Sequence, residues 1–180
     1  MKHINLNPMN PPLNWQDKLP DELPQGWNER AAALCQAQSL TAALRALGGS
    51  FTVKVLYMGE LDGQGNSFGK SHTETAAPQF VRDVLLHLNG VPVVQARSAC
   101  SPQSQAWRGV LDCGTQPLGE RLFDGTLPLK RSAFEFYLME NAGGQDDFRR
   151  PVAARRSYFD WDGEVLELTE YFLAGLARFV

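Results

Sequence analysis

The stretch that most constrains the fold is residues 81–98, VRDVLLHLNGVPVVQARS. Two apolar-rich runs flank Asn89-Gly90. Asn-Gly supplies the two positive-φ positions of a type I′ turn, the commonest two-residue hairpin connection. The spacing therefore predicts two antiparallel strands. Strand side chains point alternately to the two faces, so Arg82, Val84, Leu86 and Leu88 share one face. That face is apolar except for its arginine. A guanidinium on an apolar face is costly unless an anion meets it.

A second hairpin poses the complementary problem. Trp161 leads into Asp162-Gly163, another type I′ signal. In the run that follows, VLELTEYFL, alternation puts Leu166, Leu168, Glu170 and Phe172 together. Glu170 is the lone charge on that stripe. Two charges of opposite sign thus point toward the core, and two readings are open. One is a buried Arg82–Glu170 ion pair that joins two strands. The other is a pocket for a small anionic ligand, with Arg82 on its carboxylate.

Composition narrows the function class. The 180 residues suit one domain with a real core. A net charge of −3 provides no general basic field for nucleic acid. Three cysteines, Cys35, Cys100 and Cys113, form no C-x-x-C and leave one unpaired, which argues against a secreted disulfide framework. The histidines, His3, His72 and His87, lack metal-ligand spacing, so no metal is expected. No apolar run reaches the length of a membrane span, and the N-terminus lacks a signal-peptide core. The expectation is a cytoplasmic protein without stable membrane insertion. It is taken as a monomer, since no coiled coil or exposed apolar helix is evident.

The other elements follow in chain order. Residues 1–27 carry five prolines and read as an extended lead-in to a domain over residues 28–180. Trp15 and Trp27 are candidates to pin that lead-in to the body. Asn28 and Ser39 are helix caps, with Gly48-Gly49 ending the second helix. Residues 51–58 read as a strand, and residues 101–114 as a helix stopped by Gly114. Pro117 before Leu118-Gly119 sets up a short helix whose free N–H groups can meet an anion. Residues 127–140 read as one long strand, and residues 152–161 as another, bearing Arg155 and Arg156. The glycine-rich stretches 62–70 and 141–147 are candidate lids. About six strands with hairpin joins predict an α+β single domain, an antiparallel six-stranded sheet with helices packed on it.

Three blocks, in order, carry a resemblance: VRDVLLHLNGVPVVQARS at 81–98, PLGERLF at 117–123 and RRSYFDWDGEVLELTEYFL at 155–173, with L-T-E-x-F-L as its most telling part. Together they resemble the chorismate lyase (chorismate pyruvate-lyase) family over roughly residues 30–175. The resemblance implies conversion of chorismate to 4-hydroxybenzoate and pyruvate for ubiquinone biosynthesis, without a metal or organic cofactor. It also implies site residues. Arg82 matches the arginine that binds the ring carboxylate, and Leu118 matches a backbone contact. Glu170 matches the glutamate on the ring hydroxyl. Leu40 falls where a methionine contacts ligand through its backbone. Chorismate is a dianion, so Arg155 or Arg156 is expected to serve its second carboxylate. Arg82 and Glu170 are the expected catalytic pair, with Glu170 orienting the hydroxyl or acting as acid or base. The rival functions are a non-catalytic domain that binds small aromatic acids, and a lyase making another hydroxybenzoate isomer.

Overall fold

The computed structural model describes residues 14–62, 77–139 and 147–180. Both expected lid stretches, 62–70 and 141–147, lie almost wholly outside these residues. The frame is a seven-stranded antiparallel sheet. Its strands are β1 (Phe51–Leu61), β2 (Gln79–Leu88), β3 (Val91–Cys100), β4 (Lys130–Arg131), β5 (Glu135–Leu138), β6 (Pro151–Trp161) and β7 (Glu164–Leu173). They lie in the order β1-β2-β3-β7-β6-β4, with β5 also paired to β6.

The two turns expected from sequence are formed. Asn89 and Gly90 have φ of 48° and 77°, and Asp162 and Gly163 have 52° and 90°. Asn89 also accepts the Ser50 N–H at 2.8 Å through Oδ1, which ties the hairpin tip to the start of β1. Pairing between β2 and β3 shifts once. Leu88 faces Val91 and His87 faces Pro92, whereas Leu86 faces Val94.

The sheet has one strand more than expected, because the 127–140 candidate breaks in two. Ser132 is the cause. Its Oγ accepts the Tyr158 N–H at 2.9 Å and donates to the Ala133 carbonyl at 2.8 Å. A side chain takes the place of a ladder carbonyl there, so β4 stops and β5 begins after a gap of three residues.

Among the described residues four short α-helices accompany the sheet: α1 (Glu29–Cys35), α2 (Leu40–Ala46), α3 (Gln105–Leu111) and α4 (Leu118–Phe123), with a 3-10 turn at Ala174–Arg178. Asn28 caps α1 by accepting from Arg30 and Ala31, and Ser39 caps α2 by accepting from Ala42. The helix expected over 101–114 is confined to α3, since Ser104 is its cap and accepts the Trp107 N–H at 3.2 Å. Leu34, Leu40, Leu44, Leu86, Val94, Trp107, Leu166 and Phe172 are among the buried residues of the core. Residues 14–27 run over the body. Gln16 exchanges two backbone hydrogen bonds with Phe136, and the Trp27 ring meets Phe172 edge-on at 5.7 Å.

Candidate active site

Strand alternation and register together build a cavity on one face of the sheet. Two cross-sheet rows supply its floor. In the first, Arg82 on β2 faces Ser98 on β3, Ser98 faces Leu168 on β7, and Leu168 faces Ser157 on β6. In the second, Val84 faces Ala96, Ala96 faces Glu170, and Glu170 faces Arg155. Ser98 and Ala96 are small, so the middle of the floor is low. Leu40 and Thr41 from α2, and Leu118, Gly119 and Phe123 from α4, also line the cavity. It holds about 490 Å3 of atom-free space, part of it open to solvent.

The glycine of the P-L-G motif has a steric role here. A Cβ on Gly119 would lie 2.9 Å from Thr41 Oγ1. The missing side chain lets α4 approach α2 across the cavity wall.

Of the two open readings of Arg82 and Glu170, the ion pair is not formed. Register explains this, because Glu170 stands two strands away from Arg82 and one row over. Its partner is Arg155, directly opposite, with Nε 2.6 Å from Glu170 Oε2. Arg155 Nη1 also donates to the carbonyls of Cys35 and Ala37, at 2.9 and 2.6 Å. The arginine is thereby spent on holding Glu170 and the end of α1. Glu170 lines the cavity, and its Oε1 makes no hydrogen bond among the described residues.

Arg82 is 2% exposed. Nη2 donates to the carbonyls of Gly114 and Gln116, at 2.8 and 3.2 Å. Its Nε is buried and has no hydrogen-bond partner among the described residues. No carboxylate pairs with it among the described residues. Burial pushes its pKa down, against a smaller upward pull from Cys113. A buried cation with an unpartnered donor beside a cavity carries a desolvation cost that an anion would offset.

Five of the six expected site residues line the cavity: Arg82, Glu170, Leu40, Leu118 and Arg155. Arg156 does not. It points to the other face of β6, where Nε meets Glu135 Oε2 at 2.6 Å and the guanidinium stacks on Trp15. Alternation alone separates the two neighbours. One lining residue, Arg131 on β4, was not foreseen. Its signal was hidden inside a strand candidate whose break could not be read. Among the described residues no group of three or more His, Cys, Asp or Glu is placed to hold a metal ion.

Fold and cavity together define an α+β domain with a cavity whose described lining carries three arginines and one glutamate. The chorismate lyase family model matches residues 15–178. A probable chorismate pyruvate-lyase from Ralstonia nicotianae is 33% identical, over 92% of this chain and 91% of that protein. Another, from Shewanella amazonensis, is 32% identical over 91% of this chain and 86% of its own length. The chain belongs to the chorismate lyase family, whose members are carbon–oxygen lyases. Among solved structures it is similar to the C-terminal domain of the histidine utilization repressor from Pseudomonas syringae. That match has 15% identity, a TM-score of 0.43, and covers 70% of this chain and 93% of that one. It is also similar to the effector domain of PhnF from Mycobacterium smegmatis, with 13% identity, a TM-score of 0.45, and coverage of 76% and 89%.

Proposed function

We propose that the protein is a cytoplasmic chorismate pyruvate-lyase that makes 4-hydroxybenzoate and pyruvate for ubiquinone biosynthesis. Among the described residues no helix is long and apolar enough to cross a membrane.

The observation that carries this reading is Arg82, a buried guanidinium with an unpartnered Nε at the wall of the cavity. It takes the ring carboxylate. Leu118 and Leu40 are each the first residue of a helix, where the backbone N–H has no intrahelical acceptor. They add backbone contacts to the substrate. Glu170 Oε1 accepts a hydrogen bond from the ring hydroxyl, while Arg155 fixes the orientation of its carboxylate.

The chemistry asks little more of the chain. Chorismate loses the hydrogen at ring C4, and the bond from C3 to the ether oxygen breaks. The departing enolpyruvyl group keeps the ether oxygen, gains one hydrogen and becomes pyruvate. No oxidant or reductant is consumed, and aromatisation drives the step. The protein's contribution is to hold one reactive conformer and to exclude water.

The test is incubation of the purified protein with chorismate, followed by chromatography. Equimolar 4-hydroxybenzoate and pyruvate are expected. A 3-hydroxybenzoate product would replace this reading with a different regiochemistry. Tight hydroxybenzoate binding without turnover would replace it with a ligand-binding role.

A further inference from the structure

Charge inside the cavity does not balance. Among the described lining residues are three guanidinium groups, of Arg82, Arg131 and Arg155, and one carboxylate, of Glu170. Arg155 neutralises Glu170. Arg82 and Arg131 are left without a carboxylate.

Arg131 is built in with care. On β4 it stands opposite Phe159. Nε donates to Ser157 Oγ at 3.1 Å and Nη1 to the Gln38 carbonyl at 2.6 Å. The guanidinium carbon lies 4.2, 5.0 and 5.1 Å from the ring centres of Phe134, Phe159 and Phe123. Three rings and two hydrogen bonds fix its plane, and Nη2 has no hydrogen-bond partner among the described residues. Burial pushes its pKa down to about 10, outweighing the attraction of Glu170. It remains a cation at neutral pH, but a poorly solvated one.

Position gives this cation a meaning. Ser157, which Arg131 grips, ends the row that Arg82 begins. Three strand spacings, roughly 14 Å, separate the ends of that row at the backbone. Both side chains reach the cavity between them. We propose that Arg131 is a specificity-determining residue that receives the second carboxylate of a dianionic substrate, the one on the ether side chain that leaves. The proposal rests on the lyase reading above and deepens it. Arg155 is committed to Glu170 and two carbonyls, and Arg156 lies outside the cavity. The product has lost the ether carboxylate, so Arg131 grips substrate and not product.

The test uses two ligands that differ in one group. Both 3-(1-carboxyethoxy)-4-hydroxybenzoate and 3-ethoxy-4-hydroxybenzoate carry the ring carboxylate, hydroxyl and ether, but only the first has the ether carboxylate. Calorimetry on the unaltered protein should show the dianion bound at least about ten-fold tighter, as a charge-assisted contact implies. In Arg131→Met that preference should vanish and KM for chorismate should rise about ten-fold. Affinity for 4-hydroxybenzoate should stay within about three-fold, which also reports an intact pocket. Arg131→Lys should keep part of the preference.

No dianion preference in the unaltered protein, or its survival in Arg131→Met, would overturn the assignment. So would a parallel loss of 4-hydroxybenzoate affinity, which marks a purely structural role. The two readings fail separately. A protein that prefers the dianion but does not turn over chorismate sinks the lyase reading alone. One that turns over chorismate without the preference sinks the Arg131 assignment alone.

Discussion

The two faces of the sheet treat arginine differently. On the face away from the cavity, Arg97 stands directly opposite Asp83 and grips it with two hydrogen bonds of 2.8 and 2.7 Å. Arg156 stands directly opposite Glu135 and pairs at 2.6 Å. On the cavity face, Arg155 alone among the described arginines has a carboxylate across the ladder, Glu170. Arg82 faces Ser98, and Arg131 faces Phe159. A direct cross-strand carboxylate marks an arginine that holds the fold together. A neutral partner leaves the charge available to something else. Arg82 and Asp83 are neighbours in the chain, yet they fall on opposite sides of this division.

Arg97→Met should break the comparison most severely. Asp83 is fully buried and would lose its bidentate partner, at a cost of about 3–5 kcal/mol in stability. Denaturant unfolding measures this. Arg82→Met should do the reverse. Stability should change by less than about 1 kcal/mol, because a costly buried cation leaves along with two hydrogen bonds. Substrate and product affinity should fall about 100-fold through loss of the charge-assisted contact. If Arg82→Met were as destabilising as Arg97→Met, the distinction between the faces would collapse.

Glu170→Gln should fall between these two. Shape is kept while the charge opposite Arg155 is lost, so both stability and turnover should drop, turnover by about ten-fold. Unchanged turnover would remove any charge role for Glu170. The smallest effect belongs to the Arg45–Glu120 pair, formed at 2.7 Å with both side chains about half exposed. Arg45→Ala should cost no more than about 0.5 kcal/mol. A larger loss would show that surface pairs also matter to this fold.

What was legible in the sequence is what is local. Asn89-Gly90, Asp162-Gly163, Asn28 and Ser39 each act within a few residues, and each formed as read. The faces of β2 and β7 followed from alternation. The partner of Glu170 is carried by a local signal too, the Asp162-Gly163 turn: an even count outward from it sets Trp161 opposite Glu164 and Arg155 opposite Glu170. The same count puts Arg155, and not Arg156, on the face of Glu170. What depends on strand order is the other side of Glu170, since only β7 lying beside β3 sets it opposite Ala96. Arg131 was obscured for another reason: a serine hydroxyl ended its strand where composition suggested continuity.

The shift in pairing at the β2–β3 hairpin has a consequence of its own. Counting back from the turn, the ladder steps evenly through His87 and Pro92, then passes over Val93. An even count would have set Arg82 opposite Arg97 and Asp83 opposite Ala96. Directly opposed residues share a face, so two cations would crowd the cavity and the aspartate would be stranded beneath. The bulge at Val93 acts like a frameshift in a reading frame. One unmatched residue near the tip re-addresses every side chain beyond it along the ladder, and sends one charge to the cavity and the other to the scaffold.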